Sequence, residues 1–154
     1  VDELHLEKHS IHQLIDEVLV MAQDRIRLKN IVIRKEYAVD DCDIALNKPE
    51  LKIALTNIII NAIDAMTLDE GELKLVTKAT DNECVLVIED NGCGISKENL
   101  QSIFKPYFTN KPGGMGLGLA NTLDILRLNH VRIDVESAVN VGTKFILRFN
   151  KSHL

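Results

Sequence analysis

The sequence predicts an α+β domain: a two-layer α/β sandwich, with a mixed, mostly antiparallel sheet of about five strands covered on one face by three helices. Three observations predict it. First, three long segments, near residues 11–29, 49–66 and 115–129, repeat apolar side chains at helical spacing. Second, two pairs of apolar runs, 72–79 with 83–89 and 131–137 with 143–149, are joined by Asp81-Asn82 and by Asn140-Val141-Gly142, which are turn residues. Third, Cys84 to Ile88 is almost continuously apolar, the pattern of a central strand covered by helices on at least one face. At 154 residues the chain is long enough for one domain with a sizeable core.

Residues 1–10 are polar, with His5 and His9 interspersed, and read as a lead-in strand or linker from a preceding region; the domain proper runs over 11–150. Ser10 caps the first helix, whose apolar face is Ile11, Leu14, Ile15, Val18, Leu19 and Ala22. Arg25, Arg27 and Lys29 close it, which suits a helix C-terminus. Ile31-Val32-Ile33 with Tyr37 predicts a strand and Ile44-Ala45-Leu46 a second, with Asp40-Asp41 as the turn between them. His5, His9 and His12 are expected at the surface, and His130 just after a helix.

Asn47 or Lys48 before Pro49 opens the second helix, which is apolar on most sides to about Met66. Yet Asn57, Asn61 and Asp64 fall at i, i+4 and i+7, one stripe on a mostly buried rod. Buried polar groups need partners, and a metal-bound anion would supply them. Glu70-Gly71 is expected to end this helix. The strand from Glu83 then delivers Asp90 at its C-terminal end, into Asn91-Gly92-Cys93-Gly94-Ile95. Ser96 caps a short helix to about Ile103, and residues 105–114, with two prolines and two glycines, should form a mobile loop. The glycine cluster Gly114-Met115-Gly116-Leu117-Gly118-Leu119 feeds the third helix directly. A glycine-rich turn at a helix N-terminus is an anion site, because unpaired N–H groups and the helix dipole face the ligand. A carboxylate at one end and an anion site at the other suit a nucleotide.

Composition excludes several classes. A net charge of -5 argues against a nucleic-acid partner. The richest apolar run, Ile58-Ile59-Ile60, is cut by Asn57, Asn61 and Asp64, so no membrane segment is expected. No signal peptide is visible, and the opening Val1 suggests a fragment of something longer. Cys42, Cys84 and Cys93 are odd in number and widely spaced, neither a disulfide framework nor a zinc pattern, so a reducing, cytoplasmic setting is expected. Cys84 should be core and Cys93 exposed.

Five ordered motifs carry a family resemblance. Asn57 to Ala65 resembles an N box. Asp90 to Ile95 resembles a first glycine box, and Phe104-Lys105-Pro106-Tyr107-Phe108-Thr109 an F box. Gly114 to Leu119 resembles a second glycine box, and Ser137 through Gly142-Thr143-Lys144-Phe145 a glycine-threonine box. Together they resemble the ATP-binding catalytic domain of a sensor histidine kinase, within the superfamily of gyrase, Hsp90, histidine kinases and MutL.

The resemblance implies the roles of individual residues. Asp90 would accept a hydrogen bond from the adenine amino group, Gly94 would let the backbone pass close to the ring, and Thr143 would assist at the adenine edge. Asn61 would hold Mg²⁺ through its side-chain oxygen, with Asn57 beside the metal and the phosphates. Gly116 and Gly118 would bring N–H groups to the phosphates. Lys105 to Met115 would form the mobile ATP lid, from which Lys111 would reach the phosphates. Asp64, Gly92, Ile95, Phe104, Thr109, Gly114, Leu117 and Leu119 complete the implied nucleotide-binding set, and Phe104, Tyr107 and Phe108 would chiefly anchor the lid.

Two departures from the family pattern bear on function. No histidine here is followed by an acidic residue, so the acceptor histidine and its dimerisation hairpin are not expected in this chain, and the isolated domain is expected to be a monomer. Asp64 stands where many family members carry a basic residue. The implied function is transfer of the γ-phosphate of Mg-ATP to a histidine on that separate hairpin, and onward to a response regulator, in two-component signal transduction. A serine kinase of the anti-sigma-factor type is one alternative, and a degenerate ATP-sensing module without transfer is another. A gyrase-, MutL- or Hsp90-like ATPase would use a glutamate where this chain has Asn57, and an amide cannot take a proton from water at neutral pH.

Overall fold

The computed structural model describes residues 6–105 and 118–151. In chain order the elements are β1 (Glu7–Ser10), α1 (Ile11–Met21), α2 (Gln23–Leu28), β2 (Val32–Glu36), β3 (Asp43–Leu46), α3 (Lys48–Ala65), β4 (Glu72–Ala79), β5 (Glu83–Asp90), α4 (Lys97–Leu100), α5 (Gly118–Leu128), β6 (Val131–Ala138) and β7 (Gly142–Asn150). Five strands form one sheet in the order β2-β4-β5-β7-β6. Only β2 with β4 is parallel; the other three pairs are antiparallel. The mixed, mostly antiparallel sheet and the helical layer agree with the fold class read from the sequence.

Strand β5 is central, and its pleat sorts its residues. Cys84, Leu86, Ile88 and Asp90 are buried, whereas Val85, Val87 and Glu89 are only partly covered. The apolar run is thus covered fully on one face only. On that face lie the buried sides of α1, α3 and α5, and Leu55, Ile58, Ile59 and Ile63 of α3 fill the centre of the core with Leu73, Leu86, Leu147 and Phe149 of the sheet. Burying each such side chain contributes about 1.5–3 kcal/mol. Asn47 caps α3 by accepting from Glu50 N at 3.0 Å, with Pro49 in the first turn.

Several expectations change. The first helix is two helices: α1 ends at Met21, and the basic residues Arg25 and Arg27 lie in a separate α2. Lys29 closes a different helix, since its Nζ donates to Ile63 O, Asp64 O and Met66 O at 3.0, 3.2 and 2.8 Å, carbonyls at and just past the end of α3. Glu70-Gly71 does not end α3, which stops at Ala65; Gly71 instead lets the chain pass Met66 and Ile31, which a Cβ would approach to 3.0 Å. The short helix after Ser96 is only four residues, α4.

The lead-in segment is a strand. β1 pairs antiparallel with β3, making a two-stranded sheet outside the main one. Cys42, just before β3, is disulfide-bonded to Cys84 of β5 across a Cα–Cα distance of 5.9 Å. This corrects the expectation of unpaired cysteines: a sequence separation of 42 hides that the strand leading into α3 lies against the central strand. Cys93 is free and exposed, as expected.

His12 is not a surface group; its side chain is 15% exposed. Its ring stacks on Tyr37 with centroids 4.4 Å apart, Nε2 lies 2.7 Å from the Oγ1 of buried Thr77, and Nδ1 lies 3.2 Å from Asp41 Oδ1. Asp41 also accepts from Ser10 Oγ and, at 2.7 Å, from Cys42 N. Burial pushes the Asp41 carboxyl up, but the Ser10 and Cys42 hydrogen bonds and the neighbouring imidazole outweigh it and hold the group below its ordinary range. Among the described residues no helix is long and apolar enough to cross a membrane.

Candidate nucleotide-binding site

The site lies at the end of β5 opposite the disulfide. Asp90 is the last residue of that strand, on its helix-facing side, and is 5% exposed. Its Oδ1 accepts from Gly92 N at 2.8 Å, an Asx turn that fixes the carboxylate direction. The chain then folds against the end of α3, where Cys93 N donates to Ala65 O at 3.0 Å. That approach leaves no room for a side chain at Gly92, whose Cβ would lie 2.6 Å from Ala65 O. Asn91 ties the other side, donating to Glu70 O and accepting from Glu72 N.

Gly94 takes φ +75°, and a Cβ there would sit 2.1 Å from Ala138 O, so both conformation and space demand glycine. The β6–β7 turn closes over this loop, with Asn140 N donating to Cys93 O at 2.8 Å. In the sheet register Asp90 faces Thr143, and Thr143 faces Ser137. Ser137 Oγ accepts from Ile95 N at 2.8 Å, donates to Gly142 O at 2.9 Å and lies 2.7 Å from Thr143 Oγ1. Three separate motifs thus meet in one hydrogen-bonded corner around Asp90.

The helical wall is the polar stripe of α3. Asn61 Nδ2 donates to Asn57 O at 2.9 Å. Because a carbonyl can only accept, this bond fixes which end of the Asn61 amide is oxygen. Asn57 Nδ2 donates to Thr122 Oγ1 of α5 at 3.3 Å. Asp64 Oδ2 is buried without a hydrogen-bond partner, and its Oδ1 lies 4.0 Å from Arg25 Nη1. An orphaned carboxylate oxygen one turn from the Asn61 amide and two from Asn57 suits a hard divalent cation, which takes oxygen ligands and keeps waters and phosphate oxygens for the rest. No group of three or more His, Cys, Asp or Glu among the described residues would hold a metal alone. The residues present therefore fit Mg²⁺ carried with a nucleotide.

Of the residues singled out from sequence, the structure brings Asp90, Gly92, Gly94, Ile95 and Thr143 into one corner, and Asn57, Asn61 and Asp64 onto the adjoining helix. Phe104 packs against the core. Leu119 is buried in that core, and Gly118 is the first residue of α5. Thr109, Lys111, Gly114, Gly116 and Leu117 lie outside the described residues. Sequence reasoning missed Thr122, which is fully buried, and Asn129, which accepts from Asn47 N and donates to Glu50 Oε1, tying the end of α5 to the start of α3. A polar residue at a core-facing position in, or just after, an amphipathic helix was the available signal for both.

Comparison with known proteins adds to this geometry. The family model described as "Histidine kinase-, DNA gyrase B-, and HSP90-like ATPase" matches residues 47–153. Sporulation kinase C of Bacillus subtilis (strain 168) is 33% identical over 138 residues, covering 89% of this chain. The chain spans only 32% of that kinase's length. Among solved structures, the nucleotide-free catalytic domain of histidine kinase ThkA superposes with a TM-score of 0.85 at 28% identity, covering 95% of each chain. ThkA in complex with response regulator protein TrrA superposes with a TM-score of 0.82 at 27% identity, over 97% of this chain and 42% of that one.

Proposed function

Because the chain belongs to the histidine kinase-, DNA gyrase B- and HSP90-like ATPase family, we propose that it binds Mg-ATP and donates the γ-phosphate to a histidine on a separate dimerisation hairpin. The phosphate would pass from there to a response regulator. The observation that carries the proposal is the buried Asp90 carboxylate, aimed by Gly92 N and set opposite Thr143 in a glycine-lined corner. A carboxylate there accepts from an exocyclic amino group, which adenine has and guanine lacks at that position.

Each residue has a positional task. Gly94 and Gly142 let the backbone of this corner close on Ala138 O and Asp90 O, where a Cβ would collide. Asn61 would hold Mg²⁺ through its side-chain oxygen, with Asn57 beside the ion and the phosphates and Asp64 as the nearby carboxylate. The ion would supply positive charge that offsets the phosphates. Protein catalysis in phosphoryl transfer is mostly positioning and charge stabilisation, so the domain needs no general base. Asn57 at the first N-box position disfavours rapid hydrolysis, and this supports transfer over an ATPase cycle. Lys111 and Thr109 would act from the lid.

The test is transfer of labelled γ-phosphate from Mg-ATP, by this domain, to a separately made histidine hairpin of the parent kinase. The proposal expects acid-labile label on the hairpin. Acid-stable label on a serine would favour the anti-sigma-type alternative, and binding without transfer would favour a sensing module.

A further inference from the structure

The polar stripe of α3 lies on the half-buried side of that helix, and two other elements border it. On one bank Asn57 lies against Thr122 of α5. On the other, the end of α1 and the whole of α2 run alongside α3, and three contacts in succession fix their register. Met21 and Asn57 line one cavity, Arg25 Nη1 lies 4.0 Å from Asp64 Oδ1, and Lys29 Nζ meets the carbonyls at the end of α3. Arg25 therefore stands beside the stripe, with a side chain that is 53% exposed. Charge makes this placement matter. Asp64 sets a carboxylate on a wall proposed to face phosphates, and like charges at short range repel. Its 4.0 Å separation from Arg25 is beyond hydrogen-bond reach, so the guanidinium is near the carboxylate without being consumed by it.

The other cations of α2, of its end and of α3 are committed or turned away. Lys29 Nζ donates to three carbonyls. Lys48 and Lys52 both pair with Glu17, at 3.0 and 2.7 Å. Arg27 lines a cavity on the β2 side, with Ile33 and Lys35. Among the described residues the Arg25 guanidinium donates no hydrogen bond. It carries five donors in a rigid fork that matches phosphate oxygens. We infer that Arg25 is a phosphate-binding residue of the nucleotide site, steered by Asp64, with its guanidinium bridging that carboxylate and a phosphate oxygen of the bound nucleotide. The inference rests on the reading of the α3 stripe as the Mg-nucleotide wall. It adds α2 to the site as the element that supplies positive charge opposite Asp64.

The experiment uses the full chain with its Arg25→Ala and Arg25→Lys variants, titrated with ATP and with adenosine, in Mg²⁺ and in chelator. Arg25→Ala should weaken ATP binding about tenfold to a hundredfold, the size of one charge-assisted hydrogen bond's contribution, in Mg²⁺ and in chelator alike. Adenosine, which has no phosphate, should bind as it does to the parent. Arg25→Lys keeps the charge and loses the fork, so it should recover part of the loss. The melting temperature should stay near the parent's in both variants, because the side chain is exposed. ATP affinity unchanged in Arg25→Ala would overturn the inference and leave the proposed function standing. An equal loss for adenosine would make Arg25 a structural residue and overturn it too. A loss confined to Mg²⁺ would assign the effect to the ion and overturn a direct phosphate contact. A parent chain that binds neither ligand would overturn the proposed function and this inference together.

Discussion

The two ends of strand β5 are built on opposite principles. At its start, Cys84 is covalently tied to Cys42, and the surrounding polar groups are answered by other protein groups: Asp41 by Ser10, His12 and Cys42 N, and Thr77 by His12 and Ala38 N. At its finish, the Asp90 carboxylate is aimed by a turn contact from Gly92 N, glycines at 92, 94 and 142 let neighbouring backbone close in around it, and Asp64 Oδ2 on the adjoining helix is buried without a hydrogen-bond partner. The first end closes on itself, and the second is organised for a ligand. Stability and binding should therefore come apart along one strand.

The largest separation should come from the staple. Cys42→Ala with Cys84→Ala removes a link across 42 residues of sequence, which in the chain-entropy account is worth about 3–4 kcal/mol. Thermal unfolding should show that loss, while ADP affinity changes less than about twofold. Gly94→Ala should reverse the emphasis: a positive φ and a 2.1 Å approach to Ala138 O force the loop to move. About 3 kcal/mol of stability should go, and nucleotide binding with it, as read by denaturation and calorimetry together. Asp90→Asn is gentler on the fold, because an amide oxygen can still accept from Gly92 N. It presents a donor where the adenine amino group needs an acceptor, so affinity for ADP should drop at least about thirtyfold with the melting temperature nearly unchanged.

The smallest effect belongs to Asp41. Its carboxyl is depressed in the folded chain, so the stability it contributes is complete above the ordinary value of 3.8 and is lost as pH falls through the lower folded value. Asp41→Asn should cost under about 1 kcal/mol at neutral pH. It should also narrow the gap between parent and variant melting curves as pH drops below 3.8. A gap that widened on acidification would contradict the assignment.

The same contrast explains what the sequence makes legible. The nucleotide end is written in local motifs: Asp90 to Ile95 lies within one loop, and Asn57, Asn61 and Asp64 lie on one helix, so spacing alone places them. The staple end is assembled from residues far apart, Ser10 with Asp41, His12 with Thr77 and Cys42 with Cys84, and no local pattern marks such pairs. Lys29 shows the same limit: a basic residue after a helix reads as that helix's own cap, but the long side chain reaches the end of α3 instead. Thr122 and Asn129 are hidden differently. Their role lies in the pairing of α3 with α5, which depends on how two helices pack.

The central claim is that the finish of β5 and the stripe of α3 together form an adenine-selective, metal-dependent nucleotide site. Calorimetric titration of this chain with ADP and ATP, with and without Mg²⁺ and with GTP as the control, tests it most directly. Binding of both adenine nucleotides, strengthened by Mg²⁺ and absent for GTP, is the predicted result. No heat of binding at millimolar ADP, or equal affinity for ATP and GTP, would contradict it.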